Sequence, residues 1–80
     1  MQGYWTTMED FDIEISLNRQ QIPARVHPHV EDDKTYYDIT YNDQTISIYK
    51  ETLYTWRAEI SNGLSEADIQ SIGEQLIMQL

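Results

Sequence analysis

Two histidines separated by a single proline, His27-Pro28-His29, come closest in this chain to metal-ligand spacing. In an extended segment both imidazoles project from one face, the arrangement of a two-apart ligand pair. Asp38 or Asp12 would then serve as a third ligand, or as the acceptor that orients a ring. The same residues have a plainer explanation as cross-strand ion pairs on a solvated sheet, and a flat face offers no enclosure for an open catalytic position. His27, Asp12, Asp38 and Ser47 also supply the residue types of a hydrolase, but the pairing derived below sets Ser47 beside Asp38 and not beside the base. There is no nucleophile elbow, phosphate-cradling glycine loop or helix-borne His-Glu pair, and the three glycines are dispersed. The chain is read as non-enzymatic, without a cofactor.

A second group consists of Tyr36, Tyr49 and His29, with Arg57 and Arg25 as the basic residues of the same face. Aromatic platforms on open sheets stack single-stranded bases. Here fourteen acidic residues against five basic ones give a formal net charge of −9, the wrong sign for a nucleic-acid backbone or an anionic membrane. A protein contact suits tyrosine better, since tyrosine is enriched at interfaces. Acidic mimicry of DNA, or inhibition of a basic toxin, is a third reading. It needs dense carboxylates on one surface, whereas Glu9-Asp10, Glu31-Asp32-Asp33 and Glu66, Asp68 and Glu74 are scattered.

The elements that must position these residues begin with the hairpin Tyr36 to Tyr49, two alternating Tyr/Ile/Thr runs joined by Asn42-Asp43. Pairing across that turn opposes Ile39 to Ile46, Tyr37 to Ile48 and Asp38 to Ser47; a slip by one residue would mix the faces. Phe11 to Leu17 is a strict alternation, and Ile22, Ala24, Val26, Pro28 and Val30 mark the inward face of the next strand. A four-residue loop Asn18 to Gln21 is expected, because it turns the missing N–H of Pro23 outward. It pairs Leu17 with Ile22, Ile15 with Ala24 and Ile13 with Val26. Glu31 to Lys34 links this strand to the hairpin, setting Val26 opposite Ile39 and Pro28 opposite Tyr37. Tyr54, Trp56, Ala58 and Ile60 form a fifth strand after a loop of odd length, such as three residues with a bulge. The outward rows are then Asp12, His27, Asp38, Ser47, Arg57; Glu14, Arg25, Thr40, Thr45, Glu59; and His29, Tyr36, Tyr49, Thr55.

Ser61-Asn62-Gly63 ends the strands, and Ser65 caps a helix with Ile69, Ile72, Leu76, Ile77 and Leu80 on one stripe. Gly73 lies on that stripe, where it implies close approach to the sheet, under Trp56. The fold class expected is α+β: a five-stranded antiparallel β-meander with one C-terminal α-helix packed on one face. Residues 11–80 form a single domain. Residues 1–10 are an N-terminal segment whose Tyr4, Trp5 and Met8 suit an extra edge strand or a flap.

Such a sheet is roughly 20 Å wide and a helix only ~10–12 Å. The uncovered remainder of the inner face calls for strong curling, cover from the N-terminal residues, or a second copy of the chain, and a homodimer or partner-bound domain is the expectation. The absence of cysteine, of an apolar span and of a signal-like start fits a cytoplasmic protein. The leading function is a non-catalytic interaction or accessory protein that self-associates and binds another protein, through the face bearing His29, Tyr36, Tyr49 and Arg57 or through the uncovered part of the inner sheet face. The alternative is a metal- or small-ligand-binding protein using His27, His29 and Asp38.

Overall fold

The structure is a computed structural model and describes residues 9–79. Tyr4, Trp5 and Met8, where the extra strand or flap was expected, lie outside the described residues, as does Leu80. The elements are β1 (Phe11–Leu17), β2 (Gln20–Glu31), β3 (Lys34–Tyr41), β4 (Gln44–Thr52), β5 (Thr55–Ile60) and α1 (Glu66–Gln79). The strands form one antiparallel sheet in sequence order, β1-β2-β3-β4-β5, with the helix packed on it, so the α+β meander is the fold.

Three of the hairpins turn on two residues, Asn18-Arg19, Asp32-Asp33 and Asn42-Asp43, and all six residues have positive φ, from 48° to 66°. That is the geometry of turns whose twist matches the strands, and Asn and Asp tolerate it well. The expected four-residue β1-β2 loop is therefore replaced by Asn18-Arg19. Its register becomes Leu17↔Gln20, Ile15↔Ile22, Ile13↔Ala24 and Phe11↔Val26.

The prolines explain why this register is tolerated. Residues flanking a two-residue turn bond one another, and bonded and non-bonded pairs then alternate along the ladder. Glu14↔Pro23 is a non-bonded pair, so the proline nitrogen faces β3, beyond the last β2-β3 pair, Arg25↔Thr40. Pro28 faces the other way, just past the last β1-β2 pair, Phe11↔Val26. Each proline thus ends one ladder without removing a bond from it.

The β2-β3 and β3-β4 registers are as expected, with Val26↔Ile39, Pro28↔Tyr37 and Ile39↔Ile46. Between β4 and β5 the turn is Leu53-Tyr54, closed by Thr52↔Thr55, and the change of parity is taken up inside the ladder. Register shifts leave Glu51 and Glu59 without partners, one bulge on each strand. Tyr54, expected on the inner face, sits instead in the turn and is 81% exposed.

Curling solves the width problem. The helix packs against β5, β1 and β4, so it sits in the gap between the two edges of the sheet. Val26 and Ile39 in the middle of the sheet are fully buried, together with Ile15, Ile46, Ile48, Ile72 and Leu76. Ile22, Phe11 and Tyr37 are half-buried against this core. The uncovered inner face that motivated a second copy is absent at these positions.

The helix begins as expected: Ser65 Oγ accepts the Asp68 N–H at 3.1 Å, and the Ser65 carbonyl accepts the Ile69 N–H. Ile69, Ile72, Gly73 and Leu76 are buried, but Ile77 is 45% exposed, because the arc enclosed between the strands is narrower than the apolar stripe. At Gly73 a Cβ would fall within the indole of Trp56, so only glycine permits this approach.

Three glutamines fasten the helix to the sheet edges. Ser16 N–H donates to Gln75 Oε1 at 2.7 Å, and Gln75 Nε2 returns a bond to the Ser16 carbonyl at 3.3 Å. Gln79 does the same with Glu14, at 3.1 and 2.8 Å. On β5, Gln70 accepts from Trp56 N–H at 2.8 Å and donates to the Tyr54 carbonyl at 2.9 Å. Each side-chain amide stands where a neighbouring strand would otherwise bond.

Candidate functional site: an aromatic row on the outer face

The bulge at Glu51 rearranges the outward rows. His29↔Tyr36, Tyr36↔Tyr49 and Tyr49↔Arg57 are consecutive cross-strand partners, so the four expected interaction residues lie in one line across β2, β3, β4 and β5. Sequence reasoning had set Thr55 at the end of this row and Arg57 beside Ser47. The tight turn at Leu53-Tyr54 together with the bulge at Glu51 moves Arg57 by two residues along β4, from Ser47 to Tyr49, a shift that alternation alone does not reveal.

The rings stand side by side. His29 and Tyr36 are 5.5 Å apart between centroids and inclined by 14°, and Tyr36 meets Tyr49 edge-on at 5.4 Å and 61°. His27 extends the stack beyond His29 at 6.0 Å and 28°. Lys34 Nζ lies 4.4 Å from the Tyr49 ring centre, a cation–π contact. The π-faces are thus largely occupied by one another and by an ammonium group. Ring edges and polar groups remain for a contacting surface.

Charged neighbours hold the row in place. Arg57 Nε donates to Glu51 Oε1 at 2.8 Å, with Glu66 at 3.8 Å from the same guanidinium. The hydrogen bond to Glu51, then the nearby negative charge, raises the Arg57 pKa above its usual value. His29 Nε2 lies 3.3 Å from the Asp38 carboxylate, half-buried on both sides. His27 Nδ1 donates at 2.6 Å to Asp10, which also lies 3.7 Å from Arg25. The His27 hydrogen bond is the main reason the Asp10 carboxyl is held below its ordinary range, with the charges of His27 and Arg25 adding to it and desolvation opposing it.

Asp10 takes the place expected for Asp12. The shorter β1-β2 turn moves β1 by two residues along β2, so Asp12 faces Arg25, bonded at 3.3 Å, and Glu14 faces Pro23 instead of Arg25. The parity of Asp10 with Asp12 and Glu14 was the sequence signal for it. Lys34, read as part of a connection, also belongs to the site.

The metal-ligand set does not converge. His27 directs Nδ1 at Asp10, and His29 directs Nε2 at Asp38. Among the described residues no group of three His, Asp or Glu side chains is placed to hold a metal ion. Ser47 is buried between Asp38 and Ile60 in its row and does not adjoin His27. No described helix is long and apolar enough to cross a membrane. Compared with protein-family models, with curated proteins and with solved structures, the chain matches none of them.

Proposed function

We propose that this protein is a non-catalytic interaction module that binds another protein through the row His29, Tyr36, Tyr49 and Arg57. The observation that carries the reading is the continuity of that row: three rings and a guanidinium in consecutive cross-strand positions. Tyr and Arg are the side chains most often dominant at interfaces, and rings locked against one another lose little entropy when a partner docks. Lys34 sets a positive charge at the row on a strongly acidic chain, which orients an approaching partner. A cytoplasmic setting is part of this proposal, favoured by the lack of cysteine.

The test is affinity capture with the wild-type chain and with Tyr36→Ala/Tyr49→Ala, the variant's circular dichroism being required to match the wild type. Loss of a specific bound protein supports the reading. An unchanged set of bound proteins removes the row from any interface. Sedimentation of both proteins in the same series tests whether a second copy uses this face.

A further inference from the structure

We infer that the outer edge of β5 beside the first half of α1 is a docking groove for an extended, basic segment of a partner protein, added as a strand at Ala58. This site adjoins the aromatic row at Arg57 but uses the opposite, unpaired edge of β5. The groove has a volume of about 470 Å³ and lies between Trp56-Arg57-Ala58 on one side and Leu64, Glu66 and Ile69 on the other. That volume falls within the roughly 300–1,000 Å³ of ordinary binding sites.

The backbone identifies the occupant. Tyr37↔Ile48 is a bonded pair of the β3-β4 hairpin, so Ile48 turns its backbone groups away from β5, and Ile48↔Ala58 is a non-bonded pair. Ala58 therefore directs its N–H and C=O outward, into the groove. The Trp56 carbonyl shares that direction, since the Trp56 N–H reaches the helix-borne Gln70. Among the described residues no side chain bonds the Ala58 N–H or either carbonyl, whereas the outward groups of Glu14 and Ser16 on the opposite edge are both bonded by glutamine amides. Gln70 closes one end of the groove with an amide bonded as a strand residue would be. An edge with a free donor between two free acceptors is completed by another backbone.

Charge selects its composition. Arg57 is already shared by Glu51 and Glu66, Glu66 is 95% exposed at the rim, and Glu59 follows Ala58 on β5. Three carboxylates against one guanidinium favour lysine or arginine in the incoming strand, while Leu64 and Ala67 offer apolar contact to the residues alternating with them.

The experiment titrates the full chain, labelled with 15N, with a capped peptide of alternating lysine and valine. Two further versions are N-methylated, one at every lysine and the other at every valine. The expected result is a shift and slowed hydrogen exchange of the Ala58 amide, and at least tenfold weaker binding by only one methylated version, since only one set of N–H groups faces β5. Glu66→Lys should weaken binding severalfold with the fold intact. Absence of a shift at Ala58, equal binding by both methylated peptides, or shifts confined to Tyr36 and Tyr49 overturns the proposal. A concentration-dependent shift at Ala58 without peptide also overturns it, by assigning the edge to a second copy of the chain.

Discussion

The two edges of the sheet are closed by different means. On β1, Gln75 and Gln79 bond both backbone groups of two successive outward residues, Ser16 and Glu14. On β5 a single amide from Gln70 spans Trp56 and Tyr54, and Gly73 lets the helix pack directly on the Trp56 indole. One edge is sealed by hydrogen bonds, the other anchored by packing and left open at Ala58. The difference shows that a helix confined to the gap of a curled sheet protects whichever edge its polar side chains reach, and its apolar face does not substitute for them.

The largest effect expected on this contrast is at the packed edge. Trp56→Ala should cost about 3–5 kcal/mol in urea unfolding, since it removes a buried indole that the helix rests on. Gly73→Ala should cost about 2 kcal/mol despite the better helix propensity of alanine, because the new methyl group displaces the ring. At the bonded edge, Gln75→Ala and Gln79→Ala should each cost about 1 kcal/mol and speed amide exchange at Ser16 and Glu14. Gln70→Ala should do the same at Trp56, and unchanged exchange there would contradict the assignment of the seal.

Tyr41→Phe probes the interior between the edges. Its hydroxyl is buried without a partner, so the change should be neutral or stabilise the fold by up to about 1 kcal/mol. Burial, then the charge of Asp68, raises the Tyr41 pKa above 10.0. A raised pKa means that stability is complete below the unfolded value and is lost as pH rises through the folded one. The variant should therefore lack part of the alkaline loss of stability seen in the wild type. The smallest effect belongs to Asp10 at the start of β1. Its pKa is lowered, so its contribution is complete above the unfolded value of 3.8 and is lost as pH falls through the lower folded value. Asp10→Asn should flatten the acid limb of the stability curve slightly, and an unaltered limb would count against the His27 bond.

Much of the fold was legible in the chain, for reasons that differ by element. The central hairpin was readable because Ile39, Ile46, Tyr37 and Ile48 share a face only in one parity. The helix cap at Ser65 and the seat of Gly73 under Trp56 follow from local chemistry and a single missing Cβ. The β1-β2 register was misread because Pro23 has its cost only at a bonded pair, and a two-residue turn sets it at a non-bonded one. Arg57 was misplaced because alternation gives the parity of the β4-β5 connection but not the length of its turn or the position of its bulge. Of the site, His29, Tyr36 and Tyr49 were visible as a group, whereas Asp10 and Lys34 required the final register.

By itself the sequence determined the strands, the inward residues of their central parts, the order of the elements and the acidity of the whole, since period-two alternation, turn residues and charge are local or additive properties. Val30, Tyr54 and Ile60 at the strand ends, expected inward, are exposed. Only the tertiary structure decided the curl that sets the helix between β1 and β5, the bulges that align Arg57 with the tyrosines, and the glutamines that seal one edge more completely than the other. Those depend on where separated segments meet, and Gln70, Gln75 and Gln79 look like any solvent-facing helix residues until the strands beside them are in place.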